Sequence, residues 1–229
     1  NVGDFFELVC KRCGNTDPRY FGFTKGTSPY CRKCISFQGE KAKARSSKPT
    51  QVDLSLRYTL SPEQRSISKK IVNNYINKID TLVYAVCGAG KTELSFGVIK
   101  YCLEIGGVVA FALPRRDVVI ELFYRLKEAF PNNKVISVYG QHTSQLVGDI
   151  VVLTTHQLYR YERYFDLIVM DEIDAFPYKG SDVLESMFNR ARKGPCVLMS
   201  ATPSDDVLKE YGAPFEVHVF SAHRTPEQA

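Results

Sequence analysis

The sequence predicts an α/β protein: a mostly parallel sheet with helices on both faces, preceded by a small four-cysteine metal module. Three observations carry this. The pairs Cys10/Cys13 and Cys31/Cys34 form a C-x2-C, 17-residue, C-x2-C pattern within the first fifth of the chain. From residue 51 onward, short continuously apolar runs alternate with helical stretches, as in strands buried on both faces. Between them, GEKAKARSSKPT (39–50) has almost no apolar content beyond Ala and reads as a linker that begins as a short helix. These features divide the chain into a module with its basic linker, 1–48, and a larger domain, 51–229.

Bulk properties limit the functions. At 229 residues and 44% hydrophobic, the chain buries a full core. No apolar run approaches the roughly 20 residues that span a bilayer. The start, NVGDFFELVC, lacks both a basic n-region and an initiator Met, so a soluble protein trimmed at its N-terminus is expected. Net charge is +5, but residues 1–50 hold 10 Lys+Arg against 4 Asp+Glu, while the rest is nearly balanced. That asymmetry points to a polyanion or an acidic partner, or to simple solubilisation of a small module.

Each C-x2-C turn presents two thiolates to one tetrahedral ion, and the intervening loop brings the second pair opposite the first. Cys10, Cys13, Cys31 and Cys34 are therefore assigned to zinc, with an iron–sulfur cluster or a redox pair as the rivals. Cys87, Cys102 and Cys196 lie singly in apolar segments, which argues against a disulfide framework. Tyr20, Phe21, Phe23, Tyr30 and Phe37 either form the module's miniature core or stack on bases of a single strand.

In the larger domain, Ser61 precedes Pro62 and a helical pattern to residue 79, with Ser61 as N-cap and Pro62 at the first helical position. Strands follow at TLVYAV (81–86), GVVAFAL (107–113), KVISVY, DIVVLTT, DLIVMD and CVLMSAT. Helices are expected over 91–105 and 117–130, and near 155–163 and 181–193. In such sheets ligands bind beyond the carboxyl ends of the strands.

The first of those ends carries AVCGAGKT, residues 85–92. Gly88, Ala89 and Gly90 let backbone N–H groups turn around a phosphate, and the next helix directs its positive end there. Lys91 would reach the β- and γ-phosphates of ATP and Thr92 would ligate Mg²⁺. Ala85 replaces the usual first Gly. At the end of another strand, Asp171, Glu172 and Asp174 follow the apolar run Leu167–Met170. With its strand beside the phosphate-loop strand, Asp171 would hold Mg²⁺ and Glu172 would orient and deprotonate the attacking water. Otherwise the acidic turn is a solvated helix cap.

AVCGAGKT, MDEID and Ser200-Ala201-Thr202 occur in the order of motifs I, II and III of superfamily 2 helicases and translocases, which the chain resembles. The resemblance implies a RecA-like domain and gives Ser200, Ala201 and Thr202 a role coupling nucleotide to nucleic acid. It gives Gln64, in LSPEQRS, adenine recognition; the same Gln64 suits a capping box with Ser61. Arg115 or Arg116, and Thr154, Thr155 and His156, match segments that contact the nucleic-acid backbone in related motors; the alternatives are helix starts and surface positions.

With the zinc pairs, YTLSPEQ, ALPRRDVVIEL, LTTHQLYRY and MDEIDAFPY, the chain is similar throughout to the ComFA family of competence ATPases of Gram-positive bacteria. Membership implies a cytoplasmic ATP-driven motor at the inner face of the membrane. It would act on single-stranded DNA, with ComFC, DprA and the ComEC channel as partners, and could form oligomers at full length. The alternatives are a zinc-bearing helicase of replication restart or RNA work, and a nucleotide-switched recruiting module. Such motors use a second RecA-like domain that supplies an arginine finger. The sequence after motif III leaves no room for one, so these 229 residues are expected to bind ATP weakly and hydrolyse it poorly.

Overall fold

The structure is a computed structural model that describes residues 8–10, 14–23, 29–33, 39–45, 48–85, 90–173, 182–200 and 215–220; the side chains of 84, 85, 182–185 and 215–220 are not described. Cys13, Cys34, Cys87, Gly88, Ala89, Asp174, Ala201 and Thr202 lie outside these residues.

A two-stranded antiparallel hairpin comes first, β1 (Phe21–Phe23) with β2 (Pro29–Cys31), pairing Phe21 with Cys31. The larger unit contains α1 (Pro62–Ile76), β3 (Asp80–Ala85), α2 (Lys91–Leu94), α3 (Phe96–Glu104), β4 (Val109–Leu113) and α4 (Arg116–Ala129). It continues with β5 (Val135–Val138), β6 (Ile150–Thr154), a 3-10 helix at Thr155–Arg160, β7 (Leu167–Met170), α5 (Asp182–Ala191), β8 (Cys196–Ser200) and β9 (Phe215–Phe220). Strands β3 to β9 form one sheet in the order β5-β6-β4-β7-β8-β3-β9, and every pairing is parallel.

Both faces are covered, which explains the uninterrupted apolar strands. Along β4, Ala110 and Ala112 pack on one face with Leu158, Met187 and Phe188, while Val109, Phe111 and Leu113 pack on the other with residues of α1, α3 and α4. The alternation follows from the period of two along a strand. On the second face, Ile67, Ile71 and Tyr75 of α1 recur at helical spacing. Ser61 caps this helix as expected, in a complete capping box: its hydroxyl accepts from Gln64 N at 3.1 Å, and Gln64 Oε1 accepts from Ser61 N at 2.8 Å.

Two points of the element reading are corrected. The helix expected over 91–105 is two, α2 and α3, meeting at Ser95, whose hydroxyl donates to the carbonyl of Thr92 at 2.6 Å. The final strand, β9, escaped the sequence reading although Phe-Glu-Val-His-Val-Phe alternates; it extends the sheet beside β3.

The basic linker has no helix among its described residues and lies against the larger unit. Ala42 N donates to Arg160 O at 2.9 Å, Lys41 Nζ to the carbonyl of Tyr159, and Arg45 pairs with Asp149. The linker's side-chain cations thus help to anchor it.

Candidate functional site

The site lies at the carboxyl end of the sheet. After β3, Gly90 has φ +69, a left-handed conformation that favours glycine. It caps the short helix α2, which starts at Lys91. The backbone here is crowded as well as turned, since a Cβ at Gly90 would stand 2.7 Å from Gln64 Nε2. Gln64 thus does two things: its oxygen closes the capping box, and its amide nitrogen covers the glycine turn.

Lys91 Nζ lies 2.7 Å from Asp171 Oδ1, with the two side chains 15% and 10% exposed. Asp171 follows β7, and its backbone N–H donates to Ala112 O at 3.1 Å, continuing the ladder one residue beyond the strand. The next residue, Glu172, has φ +55, rare for a residue with a side chain. Asp171 Oδ1 accepts from Glu172 N at 2.7 Å and holds that turn closed. The turn presents the Glu172 carboxylate toward Arg115, whose Nε lies 3.8 Å from Oε2.

One spatial expectation is overturned here. The acidic strand is not beside the strand that leads into the glycine turn, because β8 lies between β7 and β3. Two strand spacings, about 10 Å, separate them. Lys91 still reaches Asp171, because it stands beyond the tip of β3 on a long side chain. The insertion places Ser200, the last residue of β8 and paired with Tyr84, between the two halves of the site, where it is fully buried. Apolar strand patterns do not encode lateral order, so the sequence could not reveal this.

The remaining assigned residues spread along the same end of the sheet. Arg115 and Arg116 open α4 after β4; Arg115 is 60% exposed and also faces Asp117, while the Arg116 guanidinium lies over the Tyr139 ring, 5.0 Å from its centroid. Thr154 ends β6 and Thr155 opens the 3-10 helix that follows; both are buried, and the Thr154 hydroxyl has no partner among the described residues. His156 is exposed overall but partly desolvated, with its Nε2 3.3 Å from Gln157 Nε2. That partial desolvation, aided by the charge of Arg160, lowers its pKa.

In the hairpin module, Cys31 is buried, and Cys10 packs against the same apolar cluster. Asn15, buried and not singled out from sequence, ties them together. Its carbonyl accepts from Cys10 N at 2.9 Å, and its side-chain amide donates to Cys31 Sγ at 3.7 Å. Among the described residues, no group of three or more His, Cys, Asp or Glu is placed to hold a metal; Cys13 and Cys34 are outside that set. Cys102 and Cys196 are fully buried, and burial pushes the Cys102 thiol up to about 12.

Residues 62–211 match the DEAD/DEAH box helicase family profile, which covers the glycine turn, Asp171 and Ser200 together. This chain belongs to the DEAD/DEAH box helicase family. Within this helicase family its similarity extends to two competence proteins. It is 35% identical over 215 residues to ComFA of Bacillus subtilis, covering 88% of this chain and 46% of that protein. It is 32% identical to ComFA of Streptococcus pneumoniae over 212 residues, covering 89% of this chain and 49% of that protein. The chain therefore spans about half the length of these relatives.

Solved helicase-type structures share the fold. The Sulfolobus solfataricus SWI2/SNF2 ATPase core in complex with dsDNA aligns with a TM-score of 0.59 at 12% identity, over 71% of this chain and 45% of that one. The Pyrococcus furiosus Hef helicase domain aligns at 0.56 and 18%, over 72% and 38%. These likenesses support a RecA-like α/β domain. No described helix is long and apolar enough to cross a membrane.

Proposed function

We propose that this chain is the nucleotide-binding part of an ATP-driven motor on single-stranded DNA that draws transforming DNA into the cytoplasm. The observation that carries this reading is the approach of Lys91 to Asp171 across β8. A P-loop lysine and a motif II aspartate are useful together only if both reach the same triphosphate, and their side chains share one point. The left-handed Gly90 beneath Gln64 fits the same ligand, since a glycine without a Cβ lets the backbone close on a phosphate.

In this reading Gly88, Ala89 and Gly90 donate backbone N–H groups to the phosphates of ATP, and Lys91 neutralises the β and γ oxygens. Thr92 and Asp171 hold Mg²⁺, which supplies charge neutralisation at the phosphates. Glu172 orients water and accepts its proton. Ser200, Ala201 and Thr202 relay the nucleotide state, and Ser200 ends the strand that lies between β7 and β3. Arg115, Arg116, Thr154, Thr155 and His156 take the DNA backbone.

In the module, Cys10, Cys13, Cys31 and Cys34 hold Zn²⁺. The amide of Asn15 donating to Cys31 Sγ is the kind of hydrogen bond that supports a metal-bound thiolate. Single-stranded DNA is the substrate, with ComFC, DprA and the ComEC channel as partners at the inner face of the membrane. A second domain supplies the arginine finger, worth roughly 10³ to 10⁵ in rate, so residues 1–229 alone hydrolyse ATP slowly.

The deciding experiment measures ATP hydrolysis with and without single-stranded DNA, duplex DNA and RNA, in a protein of the relatives' full length and its Lys91→Ala variant. Stimulation by single-stranded DNA that disappears in Lys91→Ala supports the motor. Stimulation by RNA alone, or none in the wild type, refutes it.

A further inference from the structure

The opposite rim of the sheet carries a feature that the nucleotide site does not use. A cleft of ≈ 530 Å³ opens between the docked linker and the amino ends of β4 and β7, lined by Lys41, Arg45, Arg160, Arg163, Arg190 and Lys193. Among the described residues, two carboxylates, Glu162 and Asp166, share its walls. A second cleft of ≈ 500 Å³ adjoins it, also lined by Glu162, Arg163, Arg190 and Lys193 and continuing to Arg192. The two share Glu162, Arg163, Arg190 and Lys193 and make one track in which cations outnumber carboxylates, although Arg45 pairs with Asp149 and Arg192 with Asp80.

Several of these cations are not fully committed inside the protein. Arg160 is buried over the Tyr159 ring and, among the described residues, hydrogen-bonds neutral oxygens, Gln157 Oε1 at 2.7 Å and the Glu40 carbonyl at 2.8 Å, with no carboxylate partner. Arg163 is exposed, with no ion pair among the described residues, and its φ of +43 is held by a backbone bond from its N–H to Arg190 O at 2.7 Å. Arg190 gives Nη2 to Glu162 at 3.1 Å, while its Nε and Nη1 are buried without a partner among the described residues. Lys193 lies 3.6 Å from Asp166 and is 43% exposed. Tyr164, buried in the wall, likewise has a hydroxyl without a partner among the described residues, and burial raises its pKa, so it remains a neutral donor. Unfilled donors behind a row of positive charges suit an anion with many acceptor oxygens.

We propose that this track is a second binding site for the phosphate backbone of a single nucleic-acid strand, running along the rim opposite the nucleotide and between the linker and the sheet. Two continuous clefts favour a chain of phosphates over one small anion. The Lys- and Arg-rich linker acquires a purpose, since its docking completes one wall. The site rests on the reading of this chain as a DNA-binding protein, but it uses none of the residues assigned there.

The test is fluorescence anisotropy of a labelled oligo-dT with the 229-residue chain, titrated across salt concentrations. The variant carries Arg163→Glu and Lys193→Glu, both at exposed positions. Its affinity should fall at least about tenfold, and its log–log salt slope should become shallower by about 1.4, which is 0.7 for each of two lost phosphate contacts. The conservative Arg163→Lys with Lys193→Arg should bind as the wild type does, and thermal melting should show both variants folded.

Binding by the Glu variant equal to that of the wild type overturns the track while leaving the motor reading intact. Full displacement of the oligonucleotide by inorganic phosphate, with no dependence on oligonucleotide length, assigns the cleft to a small anion and also overturns it. Absence of any oligo-dT binding by the wild type removes both readings together.

Discussion

Arg115, at the head of α4, faces Glu172, just past the end of β7, with Nε 3.8 Å from Oε2. The pair joins a residue assigned to DNA phosphates with the residue assigned to activating water. An exposed ion pair of this length contributes only about 0 to 1 kcal/mol, so a phosphate offering a charged, two-pronged partner displaces it readily. DNA at Arg115 would thereby release Glu172. Arg115→Gln should reduce DNA stimulation of the full-length ATPase by about tenfold, the equivalent of one charged hydrogen bond, with KM for ATP unchanged. Steady-state kinetics with and without oligo-dT measure this; an undiminished stimulation ratio refutes the link.

The Lys91–Asp171 pair is largely enclosed, so removing one partner strands the other. Lys91→Ala and Asp171→Asn should each change unfolding stability, and the double variant should differ from their sum by about 0.5 to 3 kcal/mol. Urea melts of the four proteins give this coupling energy directly. A sum within error would mean that the two side chains do not meet in solution.

Gln64 performs two roles that mutation separates. Ser61→Ala removes the cap alone and should cost about 1 kcal/mol of stability, with ATP affinity unchanged. Gln64→Ala removes both the reciprocal cap and the cover over Gly90, and should lower stability and nucleotide affinity together. Thermal melts paired with calorimetric ATP titrations distinguish them, and equal ATP affinity in the two variants would reduce Gln64 to a cap.

Alkaline pH should unfold this protein progressively. Burial lifts Cys102 from 9.0 to about 12 and raises Cys196 as well, so the folded state keeps protons that the unfolded chain has already lost. Stability from these groups is complete below about pH 9 and declines as pH rises through the unfolded thiol value, by about 1 kcal/mol per thiol at pH 10. Tyr75, also raised by burial, extends the decline above pH 10. Urea midpoints at pH 8, 9 and 10 measure the slope, which should become shallower in Cys102→Ala.

Much of the larger unit was legible because its signals are local. Ser61 and Pro62 announce α1, and the doubly apolar runs at 109–113, 150–154 and 167–170 announce buried parallel strands. Asn15 and the Arg115–Glu172 contact were not legible, since each depends on segments far apart in the chain. The break at Ser95 was also missed: a side-chain bond back to Thr92 interrupts a pattern that is helical throughout.

The sequence by itself determined which residues carry chemistry, because a glycine turn ending in Lys-Thr and an acidic strand end are written in consecutive residues. Only the tertiary structure decided how they meet: β8 enters between β3 and β7, and the two motifs touch through the length of Lys91. Tertiary structure also drew the linker's cations onto the far rim of the sheet. Strand order and docking come from packing among distant segments, and local periodicity holds no record of them.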